Sequence, residues 1–241
     1  MINNITIESG VLANLIGKVK LEFTNSVNFI YGVNGKGKSL LMKTLAEFCM
    51  VDEIGASTHQ WYGLRKDRYS KLTSFKCDWS GDTVFYLDDN YCQDYHTNVG
   101  YEMSTGERIK GWNYFKLSQA YTSNGGFDKV FIERLLELEI EDIDLSKSSS
   151  HKRKELEREF SQYSKTLGQK KTLLLDELDS HLSIPNQKWF FDEALPKLAE
   201  KYQVIVISHS VFALNTNYNI IALDETYQEN KEIIKKAFQN L

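Results

Sequence analysis

The chain is short of cysteine, nearly free of proline and without a long apolar run, and these shortages narrow what it can be. Three of its 241 residues are cysteine: Cys49, Cys77 and Cys92. Their odd number and lack of metal-type spacing argue against a disulfide framework. They read as reduced thiols, which sets the expectation of a cytoplasmic protein. No apolar run approaches the ~20 residues a membrane helix requires. Met1 to Gly10 is polar and has no apolar centre, so no signal peptide is expected. The only two prolines, Pro185 and Pro196, fall late. A formal net charge of −4 argues against a protein that coats nucleic acid with its whole surface. There is no internal repeat and no sustained heptad pattern, so no long coiled coil is expected. An apolar fraction of 41% is enough for the core of one large α/β domain or two small ones.

Against that background, Gly32-Val33-Asn34-Gly35-Lys36-Gly37-Lys38-Ser39 stands out. It fits G-x-x-x-x-G-K-[ST] at every fixed position. An apolar run, Val27 to Tyr31, precedes it and reads as a strand. Leu40 to Phe48 follows and reads as a helix ending near Met50. In such a strand–loop–helix the backbone curls so that successive N–H groups face an anion, and the helix N-terminus adds its positive dipole end. Lys38 can reach the β- and γ-phosphates of a nucleotide, and the Ser39 hydroxyl can ligate Mg²⁺.

Asn3 to Glu8 and Lys18 to Phe23 alternate apolar and polar residues and read as an antiparallel edge. Lys71 to Asp78 and Thr83 to Leu87 read as a hairpin turning at Ser80-Gly81-Asp82. In Met103-Ser104-Thr105-Gly106-Glu107-Arg108, Ser104 and Glu107 have the spacing of a capping box before a helical stretch, Glu107 to Tyr121. Taken alone, that string favours a capped helix. A further helix is expected over Phe127 to Ile140, carrying Phe131, Leu135 and Leu138. Charge then separates. Asp128 to Asp144 holds seven acidic and two basic residues; Ser146 to Lys171 holds three acidic and eight basic ones. The helix His151 to Leu167 is either a solvated face or a basic contact for nucleic acid or an acidic partner.

Lys171 to Glu177 runs apolar residues into two carboxylates at the end of a buried strand. Carboxylates in such a place are costly unless a cation or a reaction uses them. In phosphoryl transfer the first, Asp176, would hold Mg²⁺, and the second, Glu177, would orient and deprotonate water. Pro185 fits the first turn of a helix carrying Trp189, Phe190, Ala194, Leu195 and Leu198. Val204 to Ile207 is another buried strand, and His209 follows it on the ligand side of a parallel sheet. A last strand is expected over Asn219 to Leu223 and a last helix over Lys231 to Leu241.

Taken in order, GVNGKGKS, MSTGER, LLLDELDSHLS and VIVISHS resemble the four motifs of the ABC-type ATPases. The likeness is to their non-transporter branch: chromosome-maintenance heads, recombination and repair ATPases, and small defence-system ATPases. It covers roughly residues 1–110 and 170–223. Met103 departs from the usual leucine of the signature, and Ser183 from the last aspartate of the loop after the Asp-Glu pair.

The resemblance implies one P-loop domain over 1–241, with a mostly parallel central sheet, an antiparallel N-terminal β part and a helical insert at about 122–168. It implies ATP and Mg²⁺ as cofactors and hydrolysis of ATP. The implied phosphate-binding set is Gly32, Asn34, Gly35, Lys36, Gly37, Lys38, Ser39 and Leu40, with metal contacts from Ser39 and Asp176. Lys38, Glu177 and His209 are the implied catalytic residues. Ser104, Gly106 and Glu107 would complete the site of a second subunit in an ATP-sandwich homodimer, with Asp179 in the loop that communicates across it. Gln60 and Gln93 both remain open for the Mg²⁺-contacting glutamine. A nucleic-acid-processing or defence-type partner is the expected outlet of the cycle. The alternatives are the nucleotide-binding subunit of a membrane transporter and a slowly hydrolysing regulatory switch.

The basic stretch yields a direct prediction. If it contacts DNA, changing Lys152, Arg153, Lys154 and Arg158 to glutamate lowers DNA affinity and flattens its salt dependence, with about one unit of slope lost per phosphate contact. An unchanged affinity and slope would assign the stretch to a solvated face.

Overall fold

The computed structural model describes residues 1–51, 72–80, 84–87, 128–137 and 170–239. Its elements are two sheets and the helices that cover them. The three-stranded sheet has the order β2-β1-β4, formed by β1 (Ile2–Gly10), β2 (Lys20–Glu22) and β4 (Thr73–Trp79). Both pairings are antiparallel, with Ile5 opposite Leu21 on one side and Cys77 on the other. Alternation along β4 buries Thr73 and leaves Ser74, Lys76 and Asp78 outside, as one covered face requires.

The five-stranded sheet is parallel throughout, in the order β5-β6-β7-β3-β8. Its strands are β3 (Val27–Tyr31), β5 (Val84–Leu87), β6 (Lys171–Asp176), β7 (Tyr202–Ile207) and β8 (Asn219–Ala222). Every residue of β5, β6 and β7 is buried, the continuous pattern of strands covered on both faces. α2 (Lys38–Val51) packs on this sheet through Leu41, Met42, Leu45 and Ala46. α3 (Lys129–Glu137) buries Phe131, Ile132 and Leu135, inside the helix expected over Phe127 to Ile140. α7 (Tyr227–Gln239) is the last element.

Two features depart from the sequence reading. The expected hairpin at Ser80-Gly81-Asp82 does not form: β4 pairs with β1, whereas β5 pairs with β6 in the other sheet. The turn-forming residues are a local signal, and the burial demand of Val84-Phe85-Tyr86-Leu87 overrides it. A strand apolar on both sides belongs inside a parallel sheet, not beside an alternating partner. The second departure is α1 (Val11–Ile16), a short helix lying between Gly10 at φ 92° and Gly17 at φ 89°. A Cβ on Gly10 would lie 2.2 Å from the Leu72 carbonyl oxygen, so this strand-to-helix corner requires glycine.

The helix at Pro185 is present but interrupted. α4 (Ile184–Trp189) runs through a π-turn, Phe190–Ala194, into α5 (Leu195–Lys201). Pro196 lacks an N–H to give to residue 192 and its ring crowds that carbonyl; the wider π-turn lies where this mismatch arises. α6 (Val211–Leu214) is a single turn after β7.

One side chain stitches the two sheets together. Gln203, buried in β7, accepts from Ile2 N at 2.8 Å and donates to Ile2 O at 2.7 Å and Thr24 O at 2.8 Å. Its Oε1 also accepts from Thr172 Oγ1 at 2.9 Å. Gln203→Leu fills the space and leaves these groups unpaired, each at roughly 1–3 kcal/mol. Urea unfolding is expected to show a loss of at least about 3 kcal/mol, whereas a loss below about 1 kcal/mol would mean that water replaces the glutamine.

Candidate functional site

Three strand ends meet at one edge of the parallel sheet. β7 has β6 on one side and β3 on the other, with Asp176 and Ile30 both in register with Ile207. The residues after each strand therefore emerge together: the loop 32–39 after β3, Glu177 after β6, and Ser208-His209 after β7. In open parallel sheets this is where ligands bind.

The loop curls around its own lysine. Lys38 Nζ donates to Gly32 O at 2.7 Å and Val33 O at 3.4 Å. Gly35 and Gly37 sit at φ 82° and 83°, in the left-handed region that favours glycine. A Cβ on Gly37 would also meet Leu15 of α1 at 2.9 Å, so the helix absent from the sequence reading packs against the loop. α2 begins at Lys38, and the first N–H groups of a helix have no intrahelical acceptor. Those of Lys38, Ser39 and Leu40 form, with the loop, the kind of anion cradle a phosphate fits. Asp224, just after β8, accepts from Val33 N at 2.7 Å and from Thr226 N at 3.0 Å, tying the start of the loop to the sheet. Slight burial raises the Asp224 carboxyl, but the Thr226 hydroxyl, which also donates to it, and these backbone bonds outweigh that and hold the group below its ordinary range.

Ser39 Oγ donates to Asp176 Oδ1 at 3.0 Å, and the Tyr86 hydroxyl donates to Asp176 Oδ2 at 2.9 Å. Burial pushes the Asp176 carboxyl above its ordinary value, opposed by the Tyr86 and Ser39 hydrogen bonds. Burial likewise pulls the Lys38 ammonium down, opposed by the charges of Glu177, Asp176 and Asp224. Two adjacent hard oxygen donors, one a carboxylate, fit Mg²⁺, which takes few protein ligands and fills its octahedron with phosphate oxygens and water.

Beyond this pair lie Glu177 and His209. Glu177 Oε1 is 3.2 Å from His209 Nε2, and both side chains are nearly half exposed. Glu177 has φ 57°, the one non-glycine residue with positive φ among those described. Such strain persists only where the surroundings enforce it. Here Glu177 N donates to Ile207 O at 3.0 Å, and its carbonyl accepts from Ser180 Oγ at 2.7 Å. The structure thus brings Lys38, Ser39, Asp176, Glu177 and His209 to one edge. Ser104, Gly106, Glu107, Gln60, Gln93, Cys92 and the basic stretch lie outside the described residues.

Asp179 points inward. Its Oδ2 accepts from Ser208 Oγ at 2.7 Å, and Ser208 Oγ in turn accepts from Ser210 N at 2.8 Å. Ser210 Oγ donates to Gln187 Oε1 at 3.0 Å. This chain of bonds joins the turn after Glu177 to the turn that carries His209. Among the described residues Asp179 Oδ1 is buried without a partner.

Sequence reasoning did not single out Tyr86, Asp224, Ser208 or Gln187. Tyr86 carried a usable signal, because a tyrosine inside a buried strand needs a partner for its hydroxyl. The others act through contacts between distant parts of the chain.

No protein-family profile matches this chain. Over 106 residues it is 29% identical to the nickel import system ATP-binding protein NikD of Staphylococcus aureus strain USA300, a match spanning 43% of this chain and 39% of that protein. The same figures hold for NikD of strain N315. Among solved structures it is similar to a putative ABC transporter ATP-binding protein from Pyrococcus furiosus, at 15% identity and a TM-score of 0.41, over 92% of this chain and 96% of that one. It is also similar to an SmcHead bound to the C-winged helix domain of ScpA, at 15% identity and a TM-score of 0.43, over 92% and 94%. Among the described residues no helix is long and apolar enough to cross a membrane.

Asp179 yields a pH prediction with a fixed sign. Burial, only partly offset by the Ser208 bond, holds its carboxyl above the ordinary 3.8, so the folded protein keeps this proton to higher pH than the unfolded chain does. Its contribution to stability therefore falls as pH rises from about 4 through the folded value. Asp179→Asn removes that slope and leaves the similar one from Asp176 in place. Thermal melts should show the variant gaining on the wild type between pH 4 and 7, each kcal/mol being about 2–4 °C at this size. A pH-independent difference would contradict it.

Proposed function

We propose that the protein binds ATP with Mg²⁺ at the loop 32–39 and hydrolyses it as an ABC-type ATPase, closing on the nucleotide as a homodimer. The observation that carries this reading is the alignment of three seats at one sheet edge. They are the lysine-centred loop, the Ser39–Asp176 oxygen pair 3.0 Å apart, and the Glu177–His209 pair 3.2 Å apart. A phosphate-binding turn alone would explain only the first.

In this reading the amides of Gly35 and of Gly37 to Leu40, with Asn34 and Lys36 beside them, cradle the phosphates, and Lys38 turns from the Gly32 and Val33 carbonyls to the β- and γ-oxygens. Mg²⁺ held by Ser39 and Asp176 supplies neutralisation of charge on those oxygens. Glu177 accepts a proton from the water whose oxygen bonds to the γ-phosphorus. The bond from that phosphorus to the bridging oxygen breaks, and ADP leaves with its electron pair. His209 holds Glu177 through Nε2 and lies on the γ side, so it orients the water as well. Ser104 and Gly106 contact the γ-phosphate held by the second copy, and Glu107 completes the same signature. The charge-separated region 122–168 and the D-E-L-D string favour a nucleic-acid-processing or defence-type partner as the outlet of the cycle.

A second reading has its own support. The stretch shared with NikD, an ATP-binding protein of a nickel import system, favours the nucleotide-binding subunit of a transporter. Duplex DNA separates the two, since stimulation of ATP hydrolysis by DNA belongs to the first reading only.

Two measurements test the site. Glu177→Gln should lower kcat by about 10²–10⁴ with nucleotide affinity retained. Its molar mass in solution should double with Mg-ATP and fall back without it. Lys38→Ala should weaken ATP binding roughly ten- to a hundredfold, the worth of a charge-assisted bond of about 1.5–3 kcal/mol. A Glu177→Gln variant that stays monomeric with ATP bound would remove the homodimer, and unchanged ATP affinity in Lys38→Ala would remove the loop from the site.

A further inference from the structure

We propose that Tyr86 is a positioning residue for the metal seat, its hydroxyl fixing the Asp176 carboxylate so that Oδ1 faces Ser39. The proposal rests on the reading of Ser39 and Asp176 as the Mg²⁺ ligands.

The geometry comes from strand register. Tyr86 on β5 is directly opposite Leu174 on β6. Asp176 is two residues further along and so lies on the same face of the sheet, about 6.6 Å on at the rise of a parallel strand. An extended tyrosine spans that distance from Cα to hydroxyl, whereas a serine or threonine at the same place does not. The phenol reaches Asp176 Oδ2 at 2.9 Å, in a contact buried from solvent. On the other side Ser39 donates to Oδ1 at 3.0 Å. The carboxylate is thus gripped at both oxygens, by hydroxyls from two elements on either side of it.

The grip matters because of where Asp176 sits. It is only 8% exposed, so water cannot readily take the place of a lost donor on Oδ2. Without the phenol, the carboxylate is free to turn toward Ser39 with either oxygen, and the ligand atom offered to a cation is no longer fixed. A cation held by Ser39 and Asp176 would take the place of the hydrogen bond between them. The Tyr86 bond is then the remaining hydroxyl restraint on the carboxylate. Partners of this kind, which orient a ligand without touching the metal, typically govern ten- to a hundredfold in metal affinity.

Among the described residues β5 is the edge strand of the parallel sheet, bonded to β6 on one side. A displacement of β5 along its own axis would therefore be transmitted through the phenol to the metal ligand.

The test uses Tyr86→Phe in the full chain, which keeps the ring and removes only the hydroxyl. ATP affinity is measured in EDTA and in Mg²⁺, and Mn²⁺ binding to the ATP-loaded protein is followed by the loss of its free electron-spin signal. Tyr202→Phe is the control, since Tyr202 is buried with a hydroxyl that has no partner among the described residues. The expected result for Tyr86→Phe is unchanged ATP affinity in EDTA, a Mg²⁺-dependent gain in affinity reduced about tenfold or more, and Mn²⁺ binding weakened to match. Tyr202→Phe should leave all three unchanged. If Tyr86→Phe loses affinity equally with and without metal, or if Tyr202→Phe reproduces its effect, the hydroxyl serves the fold and the proposal is overturned. If the wild type gains from Mg²⁺ and Tyr86→Phe gains as much, Tyr86 is excluded while the site reading stands. If the wild type binds no nucleotide, both fall together.

Discussion

The pairing of β7 with β6 on one flank and β3 on the other is the constraint on which the site depends. Two parallel ladders place the ends of three strands that are far apart in sequence within one hydrogen-bonding row. Parallel pairing makes all three chains leave the sheet in the same direction, so their first non-strand residues converge. An antiparallel neighbour would have sent one of them to the opposite edge. The buried side chains of Val204, Ile205, Val206 and Ile207 hold this arrangement from both faces, and Gln203 fastens its base to the N-terminal strand. The same row also supplies the bond that holds Glu177 in its left-handed conformation, through Ile207 O.

Burial and charge work against each other at this edge. Lys38, Asp176 and Asp179 are each buried, and each is pushed by that burial toward its neutral form. What opposes the push is local: the acids around Lys38, chiefly the two hydroxyls on Asp176, and chiefly the Ser208 hydroxyl on Asp179. Glu177 and His209 are different, because both keep nearly half of their side-chain surface open. The arrangement grades from a dry, tightly bonded interior at the loop and Asp176 to an open rim at Glu177. In the proposed reaction that gradient matches the need to hold charge in one place and to admit water in the other.

The sequence was most informative where a backbone requirement and a side-chain requirement coincide on adjacent residues. The loop 32–39 is such a place: positive φ at Gly35 and Gly37, a lysine and a serine leave few other readings. The runs into Asp176 and His209 were legible because a strand buried on both faces must be continuously apolar. The hairpin misreading at residues 80–82 shows the limit. Ser80-Gly81-Asp82 is good turn chemistry, but whether two strands pair depends on which faces they bury. The contrast between alternating β4 and uniformly apolar β5 already held that information. α1 is too short to show a helical period, and Tyr86 and Asp224 act across 90 and 191 residues of chain. No window along the sequence contains those contacts.

The strand order has a consequence for how the protein is made. β3 is complete by residue 31, yet its two neighbours are β7, starting at Tyr202, and β8, starting at Asn219. During synthesis from the N-terminus, the phosphate-loop strand therefore waits, unpaired and apolar, until most of the chain exists. Closing contacts so distant in sequence is slow, and the exposed strand is a natural binding place for chaperones in the meantime. Any fragment that stops short of β7 contains every residue of the loop and yet lacks the sheet that shapes it.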